Sequence, residues 1–485
     1  MPKILNGDLV YIIYDKRRKW VRKAIEDTEF HSDRGFLKFN DIIGKNYGET
    51  ARLNPSKLKV AILPALLSDT IYSMKRQSQI IYPEDIGLIL TYSGIQSGFK
   101  IIEAGTGSGT VTSLMGIFCR PNGQVHSFDI RDIAIKQARK NIKMFKAEDN
   151  CSVELMNICE DDLDLHEIDF ALLDLATTWE AIPKVVKNLS PKGKICCFSP
   201  TIEQVKKNHR VLKENQFFNI HTIELIKRDF QVKPNATRPK GRVNGHTGYL
   251  TFANRNSEPL LSTKYFSYYS PENIGYMLVH LGCSPGDNIL LVCPKNKKTP
   301  LPKLFHEFYD RNGDDQSNVH VIKIPSHPDP KDIDNILRTL NLENMNFDGI
   351  IVDSINSNEL VEKLHVFLEN GRVLCILGQF IEIAKSYFDQ MYRLNYFEIS
   401  TCELIKRSVN IEQQGSYSTV EEKFNPGYIT LGRKVIDNLS NSTENENKVK
   451  EPEFIETPLD VALNFPESMP KEEKKIDYAN IRDDI

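Results

Sequence analysis

The stretch Ile101-Ile-Glu-Ala-Gly-Thr-Gly-Ser-Gly109 decides the fold of this chain of 485 residues. An apolar run ends in the acidic Glu103, and glycines follow at positions 105, 107 and 109. This pattern predicts a buried β-strand that runs into a tight turn and then a helix, with bare backbone open to a ligand. A nicotinamide-binding fingerprint would place its third glycine at position 110, where the chain has Thr110. The spacing therefore argues against a nicotinamide cofactor.

The E-x-G-x-G-x-G form from Glu103 to Gly109 is typical of enzymes that use S-adenosylmethionine as methyl donor. Its glycines let the backbone come close to the methionine part of this cofactor, where a side chain would clash. The next predicted strand ends in Asp129, about 20 residues beyond the loop, where a carboxylate can accept hydrogen bonds from both ribose hydroxyls. The structural alternatives are a plain strand–helix turn for the glycines and an ordinary surface aspartate at the strand end.

The pattern of apolar residues divides the chain into four segments. Residues 1–66 contain short strands and turns, which predict a small N-terminal β-rich domain. Residues 67–256 alternate strands with helices, as in a doubly wound α/β fold, and residues 257–436 repeat this alternation. Residues 437–485 hold 13 acidic and 6 basic residues, which predicts a disordered acidic tail. Because the whole chain has a net charge of −3 and this tail −7, the body carries +4, which is compatible with RNA binding.

An internal repeat links the second and third segments. Tyr82-Pro-Glu-Asp-Ile-Gly87 matches Ser270-Pro-Glu-Asn-Ile-Gly275 at an offset of 188 residues. Glu224-Leu-Ile-Lys-Arg-Asp229 matches Glu403-Leu-Ile-Lys-Arg-Ser408 at an offset of 179, and two further matches share that offset. Matches in the same order predict two copies of one fold within the chain.

Composition favours a soluble protein of the cytoplasm. No apolar run approaches the roughly 18 residues of a membrane span, and the N-terminus lacks the layout of a signal peptide. The nine cysteines are scattered without a C-x-x-C pair, as expected for free thiols in a reducing compartment. We expect no metal site and no membrane partner.

Asp174 is the candidate catalytic residue, because it follows an apolar strand at the sheet edge where ligands bind. A carboxylate suits methylation at N1 of adenine, since N1 carries a free lone pair and needs no deprotonation before it attacks. Positive charge then develops over N1 and the exocyclic amine, which a carboxylate can stabilise while it takes the proton. The structural alternative is an aspartate that caps the helix after the strand.

Two further features suggest contacts with RNA. Tyr82 precedes Pro83, which fixes the local backbone, so its ring could stack on a base turned out of its loop; the alternative is a core aromatic. The run Lys16-Arg-Arg-Lys-Trp-Val-Arg-Lys23 interleaves charge with an aromatic residue and could contact phosphates; the alternative is a solvated hairpin.

At this point the sequence resembles the tRNA (adenine-N1)-methyltransferases that act in the T-loop, above all their archaeal branch. The resemblance runs from Gly7 to about Arg255 and includes Met74-Lys-Arg-Gln-Ser-Gln-Ile-Ile-Tyr-Pro-Glu-Asp85, Phe198-Ser-Pro-Thr-Ile-Glu-Gln204 and His246-Thr-Gly-Tyr-Leu250. It implies a class I (Rossmann-like) methyltransferase domain, S-adenosylmethionine as cofactor and tRNA as partner. The modified base would be adenine 58, with adenine 57 as a second target.

The resemblance also assigns roles to residues. It implies that the cofactor is held by Glu103, Gly105, Thr106, Gly107, Ser108, Gly109, Asp129, Asn157 and Ile158. It implies that Asp174 and Tyr82 are catalytic, and that the substrate contacts Tyr82, Phe198, Arg238, His246 and Thr247. Two departures stand out: Asn157 replaces an aspartate of the family, and Asp174-Leu-Ala-Thr-Thr-Trp179 lacks the two prolines of the family's Asp-Leu-Pro-x-Pro-Trp. Without them, we expect a looser loop after Asp174.

The second copy resembles the non-catalytic subunit of the eukaryotic two-subunit form of this enzyme. Its counterpart of the glycine loop, Leu291-Val-Cys-Pro-Lys-Asn-Lys-Lys-Thr-Pro300, has no glycine, and its lysines add bulk where a cofactor would lie. We therefore expect a degenerate copy kept for assembly and RNA binding, the alternative being a second active site. Because the family acts as four related subunits, two of these chains would form a homodimer that is a pseudo-tetramer.

Two other functions stay open on the sequence. The chain could be a methyltransferase that acts on a protein or small molecule, because the fold does not fix the substrate. It could also be a non-catalytic tRNA-binding relative, and the altered loop after Asp174 is the reason to consider this.

Overall fold

The computed structural model describes residues 2–15, 18–74, 81–233, 236–260, 269–295, 297–309, 318–329, 331, 333, 345–412, 415–419 and 427–435. The predicted tail at 437–485, and Lys16 and Arg17 of the basic run, lie outside these residues. Among the described residues, no helix is long and apolar enough to cross a membrane. The same residues contain no group of three or more His, Cys, Asp or Glu side chains placed to hold a metal ion.

Six strands near the N-terminus form a four-stranded antiparallel sheet and a hairpin. They are β1 Leu9–Ile13, β2 Lys19–Lys23, β3 Glu29–Ser32, β4 Gly35–Lys38, β5 Thr50–Arg52 and β6 Lys59–Pro64. The sheet has the order β2-β1-β6-β5, and β3 pairs with β4. Val10 and Ile12 of β1 pack with Val60 and Ile62 of β6 in one apolar cluster, and the alternate residues of both strands are buried in a second cluster on the other face.

Residues 100–254 form a mixed sheet whose strand order creates a ligand crevice. Its strands are β7 Lys100–Ala104, β8 Gln124–Asp129, β9 Cys151–Leu155, β10 Ile168–Leu173, β11 Leu189–Ser199, β12 Phe218–Gln231, β13 Arg238–Pro239 and β14 Tyr249–Asn254. The order is β9-β8-β7-β10-β11-β14-β12, parallel from β9 to β11 and antiparallel beyond. The chain moves outward from β7 to β9 and then returns to β10, so the switch point lies between β7 and β10.

Helices cover both faces of this sheet. They span Pro83–Ser93, Thr110–Phe118, Asp132–Met144, Thr178–Val185 and Ile202–Glu214, while a further helix, Leu67–Ser73, lies against β2 and the helix Pro271–Leu281. In the helix Asp132–Met144, Ile135, Ala138 and Ile142 recur at helical spacing, and all three side chains are buried. β10 is buried on both faces, as the continuous apolar run Phe170–Leu173 predicts for a central strand.

Residues 269–433 form the other part of the same sheet. The strands are β15 Ile289–Pro294, β16 Val319–Ile324, β17 Phe347–Asp353, β18 Leu368–Gly378, β19 Phe397–Ile411, β20 Ser416–Thr419 and β21 Tyr428–Arg433. The helices are Pro271–Leu281, Leu301–Tyr309, Leu360–His365 and Ile381–Arg393. The strand order is β16-β15-β17-β18-β21-β19, and β12 pairs antiparallel with β19, so both parts form one 15-stranded sheet.

The contact between the two parts is symmetric in its residues. The helices Pro83–Ser93 and Pro271–Leu281 meet at Gly87 and Gly275, where an added Cβ would lie 2.4 Å or less from the other glycine's backbone. On the paired strands, Arg407 donates to Glu224 over 2.9 Å, and Arg228 donates to Glu403 in the mirrored position. The meeting helices therefore require glycine at both positions.

Candidate active site

Gly105 places the end of β7 directly against Asp174. Its φ is +94°, and an added Cβ would lie 2.0 Å from the carbonyl oxygen of Asp174. The amide of Asp174 donates to the carbonyl of Ala104 over 2.8 Å, and the amide of Gly105 donates to Phe128 over 2.8 Å. Only a residue without a side chain fits this approach of two strand ends.

Gly107 and Gly109 shape the rest of the loop. Gly109 has φ +74°, precedes the helix Thr110–Phe118, and an added Cβ would lie 2.9 Å from the Cβ of Ala138. Gly107 has φ +55°, and its amide donates to Asp129 Oδ2 over 3.0 Å. Glycine is thus needed here for backbone conformation and for close helix packing.

The two hydroxyl residues of the loop are buried. The hydroxyls of Thr106 and Ser127 lie 2.6 Å apart, and those of Ser108 and Thr110 lie 2.7 Å apart. The carbonyl of Ser108 accepts from Asn141 Nδ2 over 2.7 Å, which ties the loop to the helix Asp132–Met144. These side chains hold the loop in shape.

Glu103 is buried inside the protein. Its Oε2 atom accepts from the hydroxyl of Ser127 over 2.6 Å and from the hydroxyl of Thr112. Burial raises the pKa of Glu103 to about 7, although the Ser127 and Thr112 hydroxyls act in the opposite direction. These bonds tie β7 to β8 and to the helix behind the glycine loop.

Asp129 has all its usual acceptor positions in use. Oδ1 accepts from the amide and the Nε atom of Arg131, each over 3.0 Å. Oδ2 accepts from Gly107 and, over 2.9 Å, from Arg131 Nη2. A carboxylate offers about four lone-pair positions, so a ribose diol would have to take the place of the guanidinium. Although burial opposes it, these hydrogen bonds lower the pKa of Asp129.

Asp174 lies at the switch point, partly buried, after the last residue of β10. Burial raises its pKa to about 6; the Arg131 cation lowers it and the Asp129 charge raises it. The following loop is held by side chains: Gln204 Nε2 donates to the carbonyl of Ala176 over 3.0 Å, and the hydroxyl of Thr178 donates to Asn208 over 2.7 Å. These bonds restrain the loop in which the family's two prolines are absent.

Asn157 and Ile158 follow β9 at the same sheet edge. Asn157 Oδ1 accepts from the amide of Cys159 over 3.2 Å, while Ile158 is buried in the core beside Phe128. Asn157 therefore uses its side-chain oxygen to shape a turn. Ile158 acts as a core residue in the structure.

The expected substrate residues lie in different places. Tyr82 is half-buried at the start of the helix Pro83–Ser93 and lines a cavity with Thr247. The ring of Phe198 lies against Gly248, where an added Cβ would approach it to 2.3 Å. Arg238 is exposed on the short strand β13, which pairs with the end of β12. Arg238 is absent from the residues that line the cavity.

His246, in the loop before β14, contacts β12 and is linked through Glu224 to the second part of the sheet. Its Nδ1 atom lies 2.8 Å from Glu224 Oε1, and its Nε2 atom lies 3.0 Å from the carbonyl of Pro200. Both partners are hydrogen-bond acceptors, so these contacts favour the ring with protons on both nitrogens. In spite of partial burial, these contacts raise the pKa of His246. Glu224 also accepts a hydrogen bond from Arg407, which lies 183 residues further along the sequence.

The N-terminal half of the chain is similar to known proteins. Residues 63–238 match the family model described as the tRNA methyltransferase complex GCD14 subunit. The tRNA (adenine(57)-N(1)/adenine(58)-N(1))-methyltransferase TrmI of Methanocaldococcus jannaschii is 32% identical over 276 residues, which cover 51% of this chain and 96% of the relative. The tRNA (adenine(58)-N(1))-methyltransferase catalytic subunit TRM61 of Cryptococcus neoformans is 34% identical over 241 residues, 48% of this chain and 55% of the relative. A solved SAM-dependent O-methyltransferase from Thermotoga maritima is 27% identical, with a TM-score of 0.49 over 53% of this chain and 96% of its own.

Proposed function

We propose that this chain, which belongs to the tRNA (adenine-N1)-methyltransferase family, methylates N1 of adenine 58 in the T-loop of tRNA. The observation that carries the proposal is the contact of Gly105 with Asp174, which puts a glycine-lined loop beside a carboxylate at the switch point. Adenine 57 is a possible second target, because the archaeal relative is named for both positions.

The residues present fit S-adenosylmethionine. Gly105 leaves a cradle that a Cβ would fill, and Gly107 orients Asp129. The Asp129 carboxylate can accept a ribose diol when the diol takes the place of the Arg131 guanidinium. Glu103 supports this loop from behind through Ser127 and Thr112. We also assign Asn157 and Ile158, which follow β9, to the cofactor site. The bound cofactor would supply an electrophilic methyl group.

The chain's own residues then act on the adenine. Asp174 would accept a hydrogen bond from the exocyclic amine and hold the base in the crevice. As positive charge spreads over N1 and this amine, the Asp174 carboxylate would stabilise the charge and take a proton from the amine nitrogen. Tyr82 and Thr247, beside the cavity at the same sheet edge, would hold the RNA in place.

The reaction should depend on pH through Asp174. Because its carboxyl must be ionised to act, and its pKa is raised from 3.8 to about 6, kcat should rise with pH through about 6 and then level off. Single-turnover rates measured between pH 4.5 and 8 test this expectation. An acid limb centred near the ordinary value of an exposed aspartate would contradict the burial of this group.

We propose that residues 257–436 form a degenerate copy of the methyltransferase fold. The order β16-β15-β17-β18-β21-β19 supports this, because it matches β8-β7-β10-β11-β14-β12 position by position. The counterpart of Asp174 is Asp353, which is fully buried and receives the hydroxyl of Tyr269 at 3.0 and 2.8 Å. A carboxylate closed off in this way has no face left for a substrate.

One cofactor molecule should bind per chain. β15 ends in Pro294 and continues into the lysine-containing stretch, so the second part offers no glycine cradle. Isothermal titration with S-adenosylhomocysteine should give a stoichiometry of one. Two molecules per chain would contradict the degenerate copy.

We also propose that two chains form a homodimer that acts as a pseudo-tetramer in the cytoplasm. The pairing of β12 with β19 supports this, since it joins two methyltransferase-like parts within one chain as two subunits would be joined. Each chain would then supply one catalytic part and one scaffold part. The N-terminal β-rich domain at 1–66 and residues such as Arg238 would add RNA contacts.

A substrate assay separates this function from the two alternatives. The protein is incubated with methyl-labelled cofactor and either total tRNA or a cell lysate freed of RNA. Label in tRNA alone supports the proposal, and label in the RNA-free lysate alone indicates a protein or small-molecule substrate. Cofactor binding without transfer to any RNA would indicate a non-catalytic relative.

A further inference from the structure

A polar cavity of about 200 Å³ lies between the start of the helix Pro83–Ser93, strand β12 and the loop before β14. Tyr82 and Thr247 line it, and Asp174 does not. Its volume is below the roughly 300–1,000 Å³ of pockets for drug-sized ligands, so it suits one small ring system. The residues that line this cavity therefore do not include the carboxylate assigned to the reacting base.

The cavity wall carries buried oxygen atoms without hydrogen-bond partners. Asp85 is 1% exposed, and its Oδ2 atom has no partner among the described residues. Glu84 Oε2 is buried without a partner in the same way, and the buried Thr247 hydroxyl has Asp85 as the acceptor that it faces. Buried acceptors without donors cost about 1–3 kcal/mol each, so their presence needs an explanation.

Asp85 forms no salt bridge among the described residues, and the positive charge that faces it is the protonated form of the His246 ring. Lys227 lies 3.1 Å from Glu84 Oε1 and 3.7 Å from Asp229, so its charge is shared by these two carboxylates. Asp85 faces the Thr247 hydroxyl, the Glu84 carboxylate and the His246 ring. Burial raises the pKa of Asp85 to about 7, with the Thr247 hydroxyl and His246 acting against this shift and Glu84 adding to it.

We propose that this cavity binds the base of a nucleotide that flanks the target adenine, and that Asp85 and Thr247 accept hydrogen bonds from its exocyclic amino group. The inference rests on the proposed function, because it requires an RNA strand that passes Asp174. A nucleobase amine brings the N–H donors that the unpartnered oxygens lack. The half-buried ring of Tyr82 forms part of the wall and can stack on the same base.

The repeat indicates that the helix folds without a carboxylate at the position of Asp85. At an offset of 188 residues its counterpart is Asn273, in the helix that meets Pro83–Ser93. Asn273 is also fully buried, so the same helix position accepts an amide of the same shape. Asp85→Asn should therefore fold, while it loses an acceptor oxygen and places an NH₂ group in the cavity.

The test compares the full chain and its Asp85→Asn variant on two kinds of tRNA. One tRNA is unmodified, and in the other a single nucleotide beside the target adenine carries a base without its exocyclic amino group. We expect Asp85→Asn to lower kcat/KM by about 10- to 100-fold on the normal tRNA, as for loss of a hydrogen bond to a charged group. For the wild-type protein, the altered base should lower kcat/KM by a similar factor at one of the two flanking positions. When Asp85→Asn acts on that altered tRNA, the two losses in kcat/KM should not multiply. Affinity for S-adenosylhomocysteine and the unfolding midpoint should stay unchanged.

The outcomes are distinguishable. A normal kcat/KM for Asp85→Asn would overturn the inference, and so would losses that multiply at both flanking positions. In either case, methylation of tRNA by the wild type would leave the proposed function intact. A wild-type chain that methylates no tRNA would overturn both. If Asp85→Asn does not fold, Thr247→Val replaces it, because this change removes the hydroxyl that faces Asp85. The same loss in kcat/KM is expected, and the same results would contradict the inference.

Discussion

Replacing Asp174 by asparagine is expected to lower kcat for tRNA methylation by about 10²- to 10⁴-fold, the usual contribution of a positioned proton acceptor. The amide keeps the shape of the side chain, but it can neither take a proton from the adenine amine nor stabilise positive charge. Affinity for S-adenosylhomocysteine should stay largely intact, because the cofactor is assigned to Gly105, Asp129 and their neighbours. Single-turnover kinetics and calorimetry measure the two quantities separately.

Asp353→Asn is the matched control in the second part of the chain. Asp353 ends β17 as Asp174 follows β10, but it is fully buried beneath the Tyr269 hydroxyl. The substitution should lower the free energy of unfolding by about 1–3 kcal/mol and leave kcat unchanged. Normal turnover by Asp174→Asn, or equal losses in both variants, would show that the catalytic assignment is wrong.

Gly105→Ala is expected to abolish methyl transfer and to lower the free energy of unfolding by about 2–4 kcal/mol. The residue has φ +94°, which alanine avoids, and the new Cβ would lie 2.0 Å from the backbone of Asp174. The backbone of β7 and β10 would have to separate, which moves both the cofactor loop and the catalytic carboxylate. Chemical denaturation and calorimetry with S-adenosylhomocysteine test both effects.

Gly98→Ala separates backbone conformation from the close approach. Gly98 has φ +86°, but an added Cβ would meet nothing within 4 Å. This control should cost only about 1–2 kcal/mol and leave turnover of the folded protein normal. If Gly105→Ala behaves like Gly98→Ala, the contact between the loop and Asp174 does not shape the site.

Local features of the site could be predicted from sequence because they depend on neighbouring residues. Glycines at 105, 107 and 109 do have positive φ, and Asp129 does end the strand next to β7. The doubly wound alternation predicted for 67–256 is consistent with the mixed sheet of that region. The repeat offsets led to the proposal of two copies, which the two strand orders support.

Features that depend on distant contacts were not predictable. Arg407 reaches Glu224, which holds His246, because β12 pairs with β19 across 183 residues. The inward direction of Glu103 depends on Ser127 and Thr112. Asp85 looked like an ordinary residue in the first turn of a helix, and its burial without a partner follows only from packing. Arg131 was missed although it stands two residues after Asp129, and that spacing was a signal within the sequence.

We propose that the carboxylate beside the glycine loop directs methyl transfer to N1 of a T-loop adenine. Mass spectrometry of tRNA, digested after incubation with the protein and S-adenosylmethionine, tests this claim most directly. We predict 1-methyladenosine in the fragment that contains position 58, and none when Asp174→Asn replaces the wild type. Methylated nucleosides only at other positions, or an unmodified tRNA with the folded wild-type protein, would contradict the account.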